Sequence, residues 1–330
     1  MNLLYINRPN FDYIQDFIYT GLISVLGKEQ VIEYPWNFKY HVNHRPYPKN
    51  IGLVTGNFFG SLFSKVDFKN IDAVILSSCH PFNMQKYLEI MDKIDTNVPR
   101  IFLDGGDFPE VAGDLSRLGG EEIYQEIIKK RPFDLIFKRE YLLNKSYEAN
   151  VHSLPLCFNL KHLPSKQTSN YKYDVAFWAV ETAPIRTKSL ELLENKFDCK
   201  SNGTVRNQVM SKYKRKGTFY LEELQSCKIG LNFRGGGWDT LRYWELAALG
   251  CFMISQRPQI KIDNNFIEGE EIIYCKDDLS DLIELCNYYL EHEEERKRIG
   301  SNAQKRLKKH HSNIARARFI IEKIEALQND

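Results

Sequence analysis

The sequence predicts an α/β protein made of two parallel-sheet halves, and three observations carry that expectation. Short β-branched or aromatic runs alternate with longer amphipathic stretches through most of the chain, the mark of βα units whose strands are covered on both faces. The alternation stops at LKHLPSKQTSN, residues 160–170, a polar stretch with proline and no periodicity, and then restarts. At 330 residues the chain exceeds what one hydrophobic core usually serves, and either half is long enough to bury its own. The expected division is 1–159, a linker at 160–171, a second unit at 172–312, and a C-terminal helix at 313–330.

The elements follow in order. LLYIN at 3–7, AVILSS at 73–78, RIFLD at 100–104 and DLIFK at 134–138 read as strands of a doubly wound first half. After the first strand, Phe11, Ile14, Ile18, Leu22 and Val25 share one helical face. Beyond the linker come the strand YDVAFWAV at 173–180, helices near 184–195 and 218–226, the strand KIGLNF, a helix LRYWELAAL, the strand CFMIS and EEIIYC at 270–275. Leu279, Leu282, Ile283, Cys286 and Leu290 mark a core-facing helix, followed by a charged helical tail. His310 and His311 in that tail point to different helix faces and read as solvated rather than as a metal pair. Ala317, Ile320, Ile321, Ile324 and Leu327 then define an amphipathic helix that needs a surface to pack against.

Charge and cysteine usage narrow the function classes. Forty-five basic residues against 43 acidic give a formal charge of +2, so nothing global demands a nucleic acid or a membrane. Lys212, Lys214, Arg215 and Lys216 cluster locally, as a solvated loop or an anion site. The seven cysteines are odd in number, scattered and without a CxxC pair, which reads as reduced, buried thiols in a cytoplasmic protein. No apolar run approaches the ~20 residues of a membrane span, and MNLLYINRPN lacks the pattern of a signal peptide, so no stable membrane insertion is expected.

The stretch LNFRGGGWDTLRYWELAALGCFMIS concentrates the candidate chemistry. A strand, a glycine loop and a helix in that order form the ligand edge of an open α/β sheet. Gly235, Gly236 and Gly237 let backbone amides approach a bulky anion, and the positive end of the helix dipole faces it. Asp239 or Thr240 is placed to cap the helix, and Arg234 and Arg242 can bond phosphate oxygens. Glu245, three residues after Arg242, offers two acceptor oxygens to the vicinal hydroxyls of a ribose; the competing reading is an Arg–Glu pair on a solvated face. The loop lacks the Lys-Ser/Thr of a P-loop, and no GxSxG nucleophile motif or metal-spaced His/Asp/Glu cluster occurs.

The segment YLEELQSCKIGLNFRGGGWDTLRYWELAALGCFMISQ resembles the donor-binding region of GT-B glycosyltransferases of the "glycosyl transferases group 1" type related to spore-maturation CgeB-like proteins. The resemblance rests on Arg242, Trp244, Glu245, Ala248, Gly250, Phe252 and Ile254, spans about residues 215–320, and is architectural before that. It implies two Rossmann-like domains facing a cleft, a nucleotide-sugar held by the C-terminal domain, and a last helix crossing back to the N-terminal domain. Many retaining members carry an acid eight positions before the ribose-binding Glu, where this chain has Gly237.

The N-terminal half must then supply the acceptor side. Asp104, Asp107 and Glu110 follow one predicted strand and His80 another. Asp107 is the first candidate for the general base and His80 the second, against a reading of Asp104 and Asp107 as turn residues. The expected activity is transfer of a sugar from a nucleotide-diphosphate donor to a hydroxyl, with Arg234, Arg242, the glycine amides and the helix dipole stabilising the leaving diphosphate, and with no metal or cofactor. The rivals are a nucleotide-sugar epimerase and a non-catalytic nucleotide-sugar-binding protein, the latter motivated by Gly237. The acceptor is left open among a polysaccharide, a lipid-linked sugar, a protein and a modified DNA base, faced by the aromatic and basic residues of the 35–50 loop with Lys138 and Arg139; near-neutral charge weighs against DNA.

Overall fold

The computed structural model describes residues 1–42, 46–49, 51, 66–165, 170–177, 180–197 and 217–329; the basic cluster at 212–216 and positions 43–45 and 50 of the 35–50 loop lie outside them. Contacts divide the chain into two units. The first comprises Met1–Arg45, Lys49–Asn159 and Asn313–Asp330, the second Pro46–Pro48 and Leu160–Ser312.

The first unit is a six-stranded parallel sheet. Its order is β2-β1-β3-β4-β5-β6, with β1 Leu3–Ile6, β2 Val31–Tyr34, β3 Ala73–Leu76, β4 Arg100–Asp104, β5 Leu135–Lys138 and β6 Val151–Ser153. The central strands are buried throughout, as their unbroken apolar runs require for a sheet covered on both faces. The edge strands β2 and β6 mix polar with apolar residues, are only partly buried and have no such run, which is why periodicity passes over them. The strand order switches direction between β1 and β3, all strands staying parallel, so the carboxyl ends of these two strands open the crevice where such sheets take ligands.

Helix α1, Tyr13–Leu26, starts at Asp12, whose carboxylate accepts from the Gln15 N–H at 3.1 Å. Every residue from Ile14 to Leu22 is buried, and the C-terminal helix Asn313–Asn329 packs along α1. The closeness is set at Gly21, where a Cβ would stand 2.2 Å from the Asn313 carbonyl oxygen. Asn313 also donates from its side chain to Thr20 Oγ1 at 3.0 Å and from its backbone to the Phe158 carbonyl at 3.0 Å.

The second unit is a four-stranded parallel sheet, β10-β9-β8-β7. Its strands are β7 Tyr173–Ala176, β8 Cys227–Asn232, β9 Met253–Gln256 and β10 Ile273–Cys275. Val175, Ile229, Leu231, Ile254 and Ile273 form its core with Leu190, Leu282 and Cys286 from the flanking helices. The tail departs from the expectation of a solvated face. His311 is fully buried at the end of a π-type turn, Leu307–His311, with Nε2 on the Asn264 carbonyl at 2.9 Å and its ring against Trp244 and Phe266. The extra residue of a π turn rotates the helix face, so a residue placed in solvent by the 3.6 period turns inward.

Candidate functional site

In the second unit, β8 ends at Asn232 and a loop of eight residues leads to the helix Leu241–Leu249. Arg234, Gly235, Gly236, Gly237, Asp239 and Thr240 all lie on that connection, and Arg242 and Glu245 on the helix. The loop is held from below by Arg186, on the helix Pro184–Leu193. Its guanidinium donates to the carbonyls of Phe233 (3.1 Å), Arg234 (2.9 Å) and Val180 (3.1 Å). Gly235 is needed for this approach, since a Cβ there would meet Arg186 Nη2 at 2.9 Å. None of the three glycines uses a left-handed conformation, and the Gly235 N–H donates to the Gly237 carbonyl at 3.0 Å, so this amide, expected to face an anion, is spent inside the loop.

The expected helix cap is also replaced. Thr240 is the N-cap residue but makes no side-chain bond to the helix; its hydroxyl donates to Asn232 Oδ1 at 2.5 Å. Asn232 donates on to Ser255 Oγ at 3.0 Å, and Ser255 to the Gln256 carbonyl at 2.7 Å, which ties the loop to the carboxyl ends of β8 and β9. Asp239 accepts from Trp244 Nε1 at 2.8 Å. Arg234 lies 4.4 Å above the Trp238 ring, and its Nε is buried without a hydrogen-bond partner among the described residues. A buried guanidinium N–H without an acceptor is costly, and a ligand oxygen is the group that would satisfy it.

Glu245 is not on a solvated face. It is 3% exposed and accepts from Tyr47 Oη at 2.5 Å and from Tyr220 Oη at 2.8 Å. Burial pushes its carboxyl up from the usual range, while the Tyr47 phenol, the Arg242 charge and the Tyr220 phenol oppose that shift. Arg242 lies over the Phe177 ring at 5.5 Å. Sequence reading passed over Arg186, Tyr47 and Tyr220. Tyr220 stands in the YLEELQ run ahead of β8, but Tyr47 is 198 positions from its partner and carries no local signal.

In the first unit, His80 and Asp107 line one cavity of about 310 Å³ at the carboxyl ends of β1, β3, β4 and β5, together with Arg8, Asp12, Arg117 and Arg139. Asp107, its side chain 41% exposed, pairs with Arg139 and, at 3.8 Å, with Arg117. Asp114 accepts from Arg117 at 2.6 Å and from the backbone N–H groups of Asp107 and Phe108. His80 is the N-cap of the helix Pro81–Leu88, its Nδ1 accepting from the Phe82 N–H at 3.2 Å. In the neutral ring this bond places the proton on Nε2, which then presents a donor. Burial, then the Arg8 charge, hold His80 below its ordinary pKa.

Two expected acceptor contacts turn inward instead. Lys138 is fully buried and pairs at 3.0 Å with Asp104, which also accepts from the Gly106 and Ala112 N–H groups and so shapes the turn that carries Asp107. Lys39, from the 35–50 loop, is buried against Asp16 at 2.7 Å and donates to the carbonyls of Arg8 and Asn10. A buried ammonium requires such a partner, and these contacts were not deducible from local composition. Among the described residues no group of three or more His, Cys, Asp or Glu could hold a metal, and no helix is long and apolar enough to cross a membrane.

Comparison with known proteins bears on both units. The family described as "Glycosyl transferase-like" matches residues 186–322, from Arg186 through the glycine loop into the last helix. No curated protein matches the sequence. An alpha-glucosyltransferase solved with UDP and a 13-mer DNA is 13% identical, with a TM-score of 0.60 over 98% of both chains. Anabaena HepE, solved with UDP and glucose, is 8% identical, with a TM-score of 0.57 over 99% of this chain and 100% of its own. Sucrose-phosphate synthase from Thermosynechococcus elongatus is 10% identical, with a TM-score of 0.51 over 78% and 74% of the two chains. The fold is thus the two-domain, Rossmann-like GT-B fold, with the match to the "Glycosyl transferase-like" family confined to residues 186–322.

Proposed function

We infer that this chain, with a glycosyl transferase-like domain on a GT-B fold, moves a sugar from a nucleotide-diphosphate donor to a hydroxyl acceptor. The observation that supports the placement of the donor is the Nε–H of the half-buried Arg234, itself out of contact with water and without a partner among the described residues, on the glycine loop that leads into the Leu241–Leu249 helix. In this reading Arg234 and Arg242 bond the diphosphate, the loop and helix dipole add positive potential, and Glu245 accepts from the ribose hydroxyls. The bond from the anomeric carbon to the diphosphate oxygen breaks, the acceptor oxygen bonds that carbon, and the hydroxyl proton leaves to a base. The two arginines stabilise the leaving charge, so the transfer proceeds without a metal or cofactor.

The acceptor binds, in the same reading, at the cavity of the first unit. Asp107 takes the proton because its carboxylate is open to that cavity, aimed by Arg139, while His80 donates from Nε2 to another acceptor oxygen. Two of the structural neighbours were solved with UDP, which makes UDP the first nucleotide to try. A cytoplasmic location belongs to this reading, supported by six described cysteines that are all buried and outside any disulfide. The test is calorimetric titration of UDP, GDP, ADP and CMP into wild type, Arg234→Ala and Glu245→Ala. Micromolar binding of one nucleotide, weakened in both variants, supports the donor site; no binding of any of them overturns it.

A further inference from the structure

The surroundings of Glu245 show more than its presence on the helix does. We propose that Tyr47 and Tyr220 are positioning residues that fix Glu245 as a rigid double acceptor and so make the donor site selective for ribonucleotides over 2′-deoxyribonucleotides. The proposal rests on the reading in which Glu245 meets the ribose.

The two phenols bind opposite oxygens, Tyr47 donating to Oε1 at 2.5 Å and Tyr220 to Oε2 at 2.8 Å. A carboxylate has about four lone-pair directions, so one is left on each oxygen, the set that two vicinal hydroxyls require. Both donors are themselves held. Tyr220 lies on the helix Thr218–Gln225, which packs beside the helix of Glu245. Tyr47 comes from the short Pro46–Pro48 segment that belongs to the second unit. Its ring is near-parallel to that of Tyr220 at 6.3 Å and 18°, and edge-on to His162 at 5.1 Å and 86°. Its carbonyl accepts from the Gly217 N–H at 3.2 Å, at the start of the Tyr220 helix.

Each phenol therefore removes rotamer freedom from the carboxylate and favours its ionised form at a site where burial opposes ionisation. The charged and titratable groups bearing on Glu245 are Tyr47 from the 46–48 segment, Tyr220 from its helix, and Arg242 from its own. Losing either phenol frees one oxygen to rotate or take a proton. A protonated carboxyl turns one of the two acceptors into a donor and no longer matches the diol.

The experiment measures Kd for UDP and for 2′-deoxy-UDP with wild type, Tyr47→Phe, Tyr220→Phe and Glu245→Gln, with unfolding midpoints as a control. The rings are kept, so packing survives in the tyrosine variants. Wild type is expected to prefer UDP by about 10- to 100-fold, as for hydrogen bonds to a charged group. Each phenylalanine variant is expected to reduce that ratio by about 3- to 10-fold, weakening UDP more than 2′-deoxy-UDP, which keeps only the 3′-hydroxyl bond to Glu245, an outcome a general structural role would not produce. A ratio lost in Glu245→Gln but intact in both tyrosine variants overturns the positioning role and leaves the ribose reading standing. If the titration above selects another nucleotide, its own 2′-deoxy pair replaces UDP; no preference in wild type, or no binding of any of the four nucleotides, overturns both.

Discussion

If Arg186 is the clamp under the glycine loop, then Gly235→Ala must change sign with it. In wild type a Cβ at position 235 would lie 2.9 Å from Nη2 and 3.3 Å from Cζ of Arg186. The guanidinium cannot swing aside freely, because it is tied to three backbone carbonyls at 2.9–3.1 Å. Displacing it by a few tenths of an ångström stretches those bonds, and Gly235→Ala should cost about 1–2 kcal/mol, the range of overpacking. Arg186→Ala alone should cost about 2–4 kcal/mol, from three charge-assisted bonds discounted for partial access to water. In the Arg186→Ala background the obstacle is gone and the backbone at 235 is outside the left-handed region. Gly235→Ala should then stabilise by about 0.4–1 kcal/mol through the unfolded chain. The coupling is therefore about 1.5–3 kcal/mol, large for a contacting pair and measurable by urea unfolding of the four proteins. If Gly235→Ala shifts stability equally in both backgrounds, to within about 0.5 kcal/mol, Arg186 is not what shapes the loop.

Three further outcomes follow from the same geometry. Gly21→Ala drives a methyl into the Asn313 carbonyl and should lower stability by about 2 kcal/mol or more, read as a shift in urea midpoint; an unchanged midpoint would mean that the C-terminal helix does not pack on α1 this closely. His80 has its pKa depressed below 6.5 by burial and by Arg8, so the unfolded chain binds its proton first as pH falls. Its contribution is whole above pH 6.5 and is lost from there down through the folded pKa; His80→Asn, which keeps an N-cap acceptor, should flatten the stability–pH curve in that window and nowhere else. Sugar transfer should persist in excess EDTA, whereas Arg242→Ala should lower kcat by about 10²-fold or more; recovery of an EDTA-treated enzyme only on adding a divalent cation would refute arginine-based stabilisation of the leaving diphosphate.

The strands β1, β3, β4, β5 and β8 and the helix Leu241–Leu249 were legible because each is an uninterrupted apolar run or a 3.6-residue pattern bounded by turn residues. The edge strands β2 and β6 were not, since three or four residues with polar members leave no period to detect. His311 was misplaced because the charge of the tail was taken to mean a solvated face, whereas the π-type turn Leu307–His311 brings this one ring against Trp244 and Phe266. At the site, the glycine loop and its arginines could be located from strand–loop–helix order. The clamp by Arg186 and the cap-like use of His80 could not, because both depend on where a side chain ends rather than on where its Cα lies.

By itself, then, the sequence determined the fold class and the strand–loop–helix segment that carries the candidate phosphate-binding residues, because hydrophobic period, turn residues and helix starts act over a few neighbouring positions. Tertiary structure alone decided which charges serve the site and which serve the core. Lys138 and Lys39, both basic and both in suggestive places, are taken up by Asp104 and Asp16, since a buried ammonium must find a carboxylate wherever the chain brings one. Glu245 shows the converse: between a ligand acceptor and half of a surface ion pair the sequence left two readings, and burial under two phenols, one of them supplied across 198 positions of sequence, removes the solvated one.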